Sequence, residues 1–256
     1  MIDNKAVIHT SARLGNNVSI GPFSIIGADV EIGDNTWVGP HVVINGSTTI
    51  GKENKIFQFA SIGDAPQDKK YAGEPTALII GDRNTIREYC TLNRGTVQDS
   101  GVTTVGNDNW IMAYAHVAHD CFVGDHIIMA NNAQLAGHVN VGNFAILGAF
   151  TAVHQFVNIG VHSFTGLGTI LTKDLPPFVM ANGNTASAHG MNFEGMKRKG
   201  FSPETIKQLR QAYKIVYRSN YTLQEAIKQL AKLAEDIPTI KTFQEFLKNS
   251  QRGIVR

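Results

Sequence analysis

Counting every sixth residue from Ile8 gives Ile8, Leu14, Ile20, Ile26, Ile32, Val38, Ile44, Ile50, Ile56 and Ile62, all aliphatic. The register resumes at Ile80, Ile86 and Leu92 and then slips by one residue. It runs again from Val105 through Ile111, Val117, Val123, Met129, Leu135, Val141, Leu147, Val153, Ile159 and Thr165 to Leu171. Thr165 alone among these 25 positions is neither aliphatic nor methionine, which chance placement cannot produce. The following residue is glycine at 14 of the 25, as at Gly15, Gly21 and Gly124, where a tight corner needs either φ > 0 or close backbone approach. Four residues after the aliphatic one the side chain is mostly small or β-branched, as in Ala12, Val18, Ser24, Thr36, Cys90, Cys121 and Ala133, marking a second, narrower inward position.

A period of six fits neither an α-helix nor a long strand. It fits short strands joined by tight corners and stacked as a parallel β-helix. Three hexads make a triangular coil of 18 residues, and about eight coils at ~4.8 Å spacing give a prism roughly 40 Å long. The clock breaks twice, over residues 64–79 and 93–104, and loops that interrupt a rigid scaffold often carry function. The first break, between Ile62 and Ile80, is as long as one whole coil, so it either replaces a coil or bulges outward. The pattern ends near Pro176 and Pro177, which stop strand stacking.

After residue 190 the periodicity becomes helical. Ser202, Pro203 and Glu204 read as an N-cap followed by a first-turn proline. Thr222 with Glu225 reads as a capping box, and Thr242 with Glu245 as another. Three short helices over 191–256 are predicted as a small α-helical domain capping the open end of a β-helix spanning 1–190.

Composition narrows the function classes. There are 23 basic and 21 acidic residues, a net charge of +2, which makes no case for bulk nucleic-acid binding. Mean hydropathy is −0.10 and no apolar run reaches the ~20 residues of a membrane span. The first residues lack the basic and apolar regions of a signal peptide. Two cysteines, Cys90 and Cys121, form no disulfide framework and no metal spacing, so a reducing cytoplasm is expected.

Six of the nine histidines fall between positions 116 and 162: His116, His119, His126, His138, His154 and His162. In an 18-residue coil, position 119 stacks on 137 and 137 on 155. His119, His138, His154 and Gln155 therefore gather along one edge around Gly137, which has no side chain to block approach. One reading is a metal site, with His116, His119 and a third histidine holding zinc as in γ-type carbonic anhydrases, which share such a prism. A second is general-base catalysis: Asp120 orients the His119 imidazole, a hydroxyl or amine is deprotonated, and the Gly137 N–H receives the oxyanion. A third is a non-catalytic prism with solvated corner histidines. No serine or cysteine nucleophile stands beside a histidine, so direct transfer is favoured over an acyl-enzyme.

The motifs QDKKYAGEPT, IGDRNTIRE, RGTVQ, AHVAHDC, MANNA, LAGHV, TAVHQF, KDLPP and NFEGMKRKGF, spread over the whole chain, resemble those of the acyl-carrier-protein:UDP-N-acetylglucosamine O-acyltransferases that begin lipid A synthesis in Gram-negative bacteria. The related N-acyltransferases of that pathway share the prism and the histidine base, without this motif set and helical tail. The resemblance implies a left-handed parallel β-helix, a homotrimer with active sites between neighbouring prisms, and acyl carrier protein and UDP-N-acetylglucosamine as partners. It implies that His119 is the general base, that Asp120 orients it and that Gly137 supplies the oxyanion amide. It implies that His116, His138, His154 and Gln155 line the substrate pocket, and that Asp68 and Lys70 reach in from a neighbour. Asn192, Glu194 and Arg198 match positions near the nucleotide, within a basic run (Lys197, Arg198, Lys199) suited to an acidic carrier and a diphosphate. No cofactor is expected beyond the phosphopantetheine that the carrier brings, and no metal. Asn93 stands where some relatives have histidine. Leu167 stands at the acyl-length ruler, where relatives using longer chains have glycine, so a chain of roughly 10–12 carbons is expected from the loss of space.

Overall fold

A computed structural model describes all of residues 1–256. Strands mostly of two residues form three sheets of 9, 8 and 10 strands, parallel except at the C-terminal end of the largest, and up to that end each strand pairs with the third one along the chain. Val7 pairs with Ile25 and Ile8 with Ile26, three hexads further along the chain, the coil length that the repeat predicts. The three sheets are the faces of a left-handed parallel β-helix. The aliphatic ladder from Ile20 to Leu171 lies inside it, each member nearly solvent-free and Thr165 joining it as a buried polar rung.

The corner glycines, Gly63 with its φ of 73° apart, follow from close approach rather than from φ. A Cβ on Gly21 or Gly33 would fall 2.6 Å from backbone of the next coil. The left-handed residues lie two positions later and are mostly not glycine: Asn17, Phe23, Asp29, Asn35 and His41 have φ of 55–61°. Asparagine, aspartate and histidine tolerate that region better than β-branched residues do. The narrow inward position is also more polar than expected. Asn54, Asn84 and Asn109 are buried there, the Oδ1 of each accepting the amide of the next rung at 2.7–2.9 Å.

Both breaks in the clock bulge outward. Ser61 pairs with Thr91, two hexads beyond the usual coil spacing, so the first break enlarges one coil by that amount. Thr91 pairs with His116, a single hexad plus one residue beyond the usual spacing, and that odd residue is the slip in register. The loops are shorter than the breaks suggested, because Ala77–Ile80 and Val102–Val105 are strands that pair with each other.

Stacking also survives the prolines. Val179–Asn182 continues one sheet in parallel with Phe164–Thr165, then turns antiparallel to Ser187–Met191. Four helices follow: α1 (Phe193–Arg198), α2 (Pro203–Tyr217), α3 (Leu223–Ala234) and α4 (Pro238–Asn249). The Ser202 cap and the Thr222–Glu225 capping box form as expected. The Thr242–Glu245 box does not, because α4 begins earlier, at Pro238, and the Thr242 hydroxyl donates instead to the Pro238 carbonyl. The last residues return to the prism, with Ile254 bridging to Asp174.

Candidate active site

His119 occupies the corner before Asp120, a left-handed residue with φ of 57° that turns its own side chain back toward the preceding rungs. His119 Nδ1 lies 2.8 Å from Asp120 Oδ2. A carboxylate only accepts, so Nδ1 carries the hydrogen and Nε2 keeps its lone pair. The Asp120 carboxylate is fully enclosed and is held by two donors from the second loop, the Thr96 amide at 2.8 Å and the Thr96 hydroxyl at 2.6 Å. The Asp120 amide in turn donates to Thr103 Oγ1 at 2.8 Å.

Gly137 is one coil further on. A Cβ built there would meet His119 Cε1 at 2.5 Å and Nε2 at 2.7 Å, so the imidazole edge occupies the space that any other residue would fill. The Gly137 carbonyl accepts from the Phe156 amide, whereas its own N–H, in the corner between strands, donates to nothing within the chain. The rung therefore presents a free amide next to an oriented imidazole.

His138 adds a second histidine–carboxylate pair. Its Nδ1 lies 2.7 Å from Asp99 Oδ2 and 3.9 Å from Asp120 Oδ2. Its ring stacks on Phe156 with centroids 4.3 Å apart and stands edge-on to His119 at 5.1 Å. These groups open onto a cavity of about 810 Å³ whose other walls include Gln155, Gln98 and the first-loop residues Asp68 and Lys70. Asp68 and Lys70 thus line the cleft of their own chain.

The remaining expected residues lie elsewhere. His116 is on a sheet face, its Nδ1 2.6 Å from Thr91 Oγ1, and burial pushes its pKa down. His154 sits beside the cleft with Nδ1 3.2 Å from Arg252 Nη2. Asn192 caps α1 by accepting from the Gly195 amide and donates to the His162 carbonyl, on a different edge of the prism. Glu194 is exposed and paired with Lys197 at 2.8 Å, which holds its carboxyl below the usual range. Arg198 ends the same short helix, and Lys199 lies over the Phe144 ring. Leu167 is 71% exposed and lines no part of this cavity, so within one chain it closes no acyl pocket. Cys90 and Cys121 are buried core, their thiols pushed up to about 12 by burial.

Thr96 and Asp99 escaped the sequence reading although they lie in the second break, where the slip of the clock by an odd residue was the available signal. His119, Asp120 and His138 offer atoms within 4.8 Å of one another, a spacing that a metal ion could bridge. Both Nδ1 atoms are hydrogen-bonded to carboxylates and the Asp120 oxygens accept three hydrogen bonds, so these atoms serve a hydrogen-bond network, while His119 Nε2 keeps its lone pair toward the cleft.

Comparison with known proteins agrees with the motifs. A sequence profile described as "Udp N-acetylglucosamine O-acyltransferase; Domain 2" matches residues 174–255. An acyl-[acyl-carrier-protein]–UDP-N-acetylglucosamine O-acyltransferase of Thiobacillus denitrificans is 60% identical, with 98% of this chain and 97% of that protein aligned. One from Pseudomonas putida is 58% identical over 100% of this chain and 99% of the relative. The crystal structure of the UDP-N-acetylglucosamine O-acyltransferase from Moraxella catarrhalis superposes with a TM-score of 0.98 at 49% identity, covering 100% of this chain and 99% of that one. With the prism, the capping helices and the relatives all in agreement over the full length, the chain belongs to the acyl-[acyl-carrier-protein]–UDP-N-acetylglucosamine O-acyltransferase family.

Proposed function

We infer that the protein transfers a fatty acyl group, of the 3-hydroxy class, from acyl carrier protein to the 3-hydroxyl of UDP-N-acetylglucosamine, the first step of lipid A synthesis. The observation that carries the mechanism is the His119–Asp120 pair seated against the bare Gly137 amide. His119 Nε2 takes the proton of the sugar hydroxyl as the oxygen attacks the thioester carbonyl. The carbonyl oxygen gathers charge at the Gly137 N–H, a donor that needs no reorientation. Collapse re-forms the carbonyl and expels the pantetheine thiolate, which receives the proton from the imidazolium. Asp120, locked by Thr96, keeps the Nδ1–H tautomer and stabilises that imidazolium. The Asp68 and Lys70 side chains, with His138 and Gln155, orient the acceptor in the cleft.

The working unit is a homotrimer in the cytoplasm. Asn192, Glu194 and Arg198 lie off the cleft in one chain, as a site completed by a neighbouring prism requires, and Leu167 closes the acyl groove in the same way. The preferred chain is then roughly 10–12 carbons, since a leucine excludes several methylenes. No helix is long and apolar enough to cross a membrane. No cofactor besides the carrier's pantetheine takes part.

The deciding experiment incubates the protein with UDP-N-acetylglucosamine and a series of acyl carrier thioesters and identifies the product by mass. A 3-O-acyl product, best with chains of about 10–12 carbons, is expected. Acylation only of an amine acceptor would move the chain to the N-acyltransferase reaction, and equal turnover with longer chains would remove the ruler role of Leu167.

A further inference from the structure

The cleft around His119 does not end at Gln155. A second cavity of about 560 Å³ continues from it toward the C-terminal end of the prism, with Asp99, His138 and Phe156 as the shared wall. At its far side stand Asn249, Gln251 and Arg252. The Arg252 guanidinium has no carboxylate partner. Its Nη2 lies 3.2 Å from His154 Nδ1, and its enclosed Nε has no hydrogen-bond partner. His154 Nδ1 is also 3.1 Å from the Gln155 carbonyl, which only accepts, so that nitrogen serves one of the two at a time. A guanidinium stays charged at any physiological pH; Arg252 is half-buried, and its enclosed Nε is a donor left without an acceptor, which costs free energy.

Arg252 is not a loose terminal residue. Ser250 Oγ donates to Asp174 Oδ2 at 2.7 Å, the Asp174 amide donates to the Gly253 carbonyl at 3.0 Å, and the Val255 amide donates to the Asp174 carbonyl at 2.9 Å. Asp174, Ile254 and Val255 are buried. The tail is stitched to the last coil, so the guanidinium is held at the cavity by the fold.

We propose that Arg252, with the free amides of Asn249 and Gln251, is a subsite for a phosphate group of a substrate. A rigid fork of N–H donors beside neutral amides is suited to phosphate oxygens. The Asp99 carboxylate, occupied by His138 at the boundary, keeps the anion on the Arg252 side. The proposal rests on the acyl-transfer reading, in which both substrates carry phosphate. Reach favours the nucleotide sugar. His154 is two coils from His119, roughly 10 Å at ~4.8 Å per coil. The sugar 3-oxygen is about five single bonds from the nearer phosphorus and about seven from the second, spans of roughly 6–9 Å. The pantetheine sulfur is about thirteen bonds from its phosphorus and overshoots the gap unless the arm folds.

The test is calorimetric binding of UDP and of uridine to the full-length protein, to Arg252→Ala and to Arg252→Lys, with melting curves and gel filtration showing that each is folded. Arg252→Ala is expected to weaken UDP about tenfold and leave uridine within about twofold, with Arg252→Lys between, because it keeps the charge and loses the fork. Unchanged UDP affinity with a raised KM for the acyl carrier would place the carrier's phosphodiester in the subsite. Unchanged values for both, or parallel losses for UDP and uridine, would overturn the subsite and leave Arg252 as a prop for His154. UDP affinity is read without turnover, so failure of the wild-type protein to acylate the sugar would defeat the acyl-transfer reading separately.

Discussion

His138 and His162 occupy the same place in the repeat and do different work. Both are left-handed corner residues, with φ of 62° and 56°, and both stack on phenylalanine, His138 on Phe156 and His162 on Phe144 and Phe178. On the His162 edge nothing interrupts the ladder. The helical tail adds Phe201 edge-on, and burial with nearby Lys199 pushes the imidazole pKa down to about 4. On the His138 edge two loops bulge out and supply Asp99, Thr96, Asp68 and Lys70. One histidine is therefore a neutral stacking unit and the other half of a polar cleft. The repeat provides the position, and the inserted residues decide its chemistry.

The sharpest test of this contrast is His119→Ala, which should lower kcat about 10³-fold while leaving the melting temperature within a few degrees, since a corner imidazole carries little packing. Retention of a tenth of wild-type turnover would remove His119 as the base. Next is Gly137→Ala. Its added Cβ would collide with the His119 ring, so a loss of about 10²-fold in kcat is expected, measured under saturating substrate. A smaller effect, about tenfold on kcat, is expected from Thr96→Val, which keeps the shape but removes a hydroxyl donor from Asp120. Activity equal to wild type would mean that the second loop is not what fixes the pair.

The smallest effect belongs to the other edge. His162→Phe should leave kcat within about twofold. It should instead change the acid limb of stability. The folded-state pKa of about 4 lies below the ordinary histidine value of about 6.5, so the unfolded chain binds the proton first as pH falls. The contribution of neutral His162 is thus intact above about pH 6.5 and is lost progressively down to about pH 4. Melting temperatures taken across that window should fall less steeply in His162→Phe than in wild type; identical slopes would contradict the assignment.

Much of this was legible beforehand because a hexapeptide prism is nearly one-dimensional. Nearly every inward rung takes an aliphatic side chain, so the ladder from Ile20 to Leu171, Thr165 apart, announces its own burial. A constant coil length converts sequence separation into contact, which is how Gly137 was placed against His119. The capping signal worked where the local sequence and the helix start coincided, at Thr222, and misled at Thr242, where Pro238 offered an earlier start.

The chain's own periodicity thus determined the prism, its three-hexad register, the aliphatic axis and the stacking of an imidazole on a glycine, because these depend on repeat spacing alone. Only the tertiary structure decided how the insertions fold back, bringing Thr96 to Asp120, Asp99 to His138 and the first loop over the same cleft. It alone brought Arg252 from the far end of the chain to His154, 98 residues away in sequence. Those contacts join segments with no common period, and their geometry follows from loop packing and terminal docking, which no local pattern encodes.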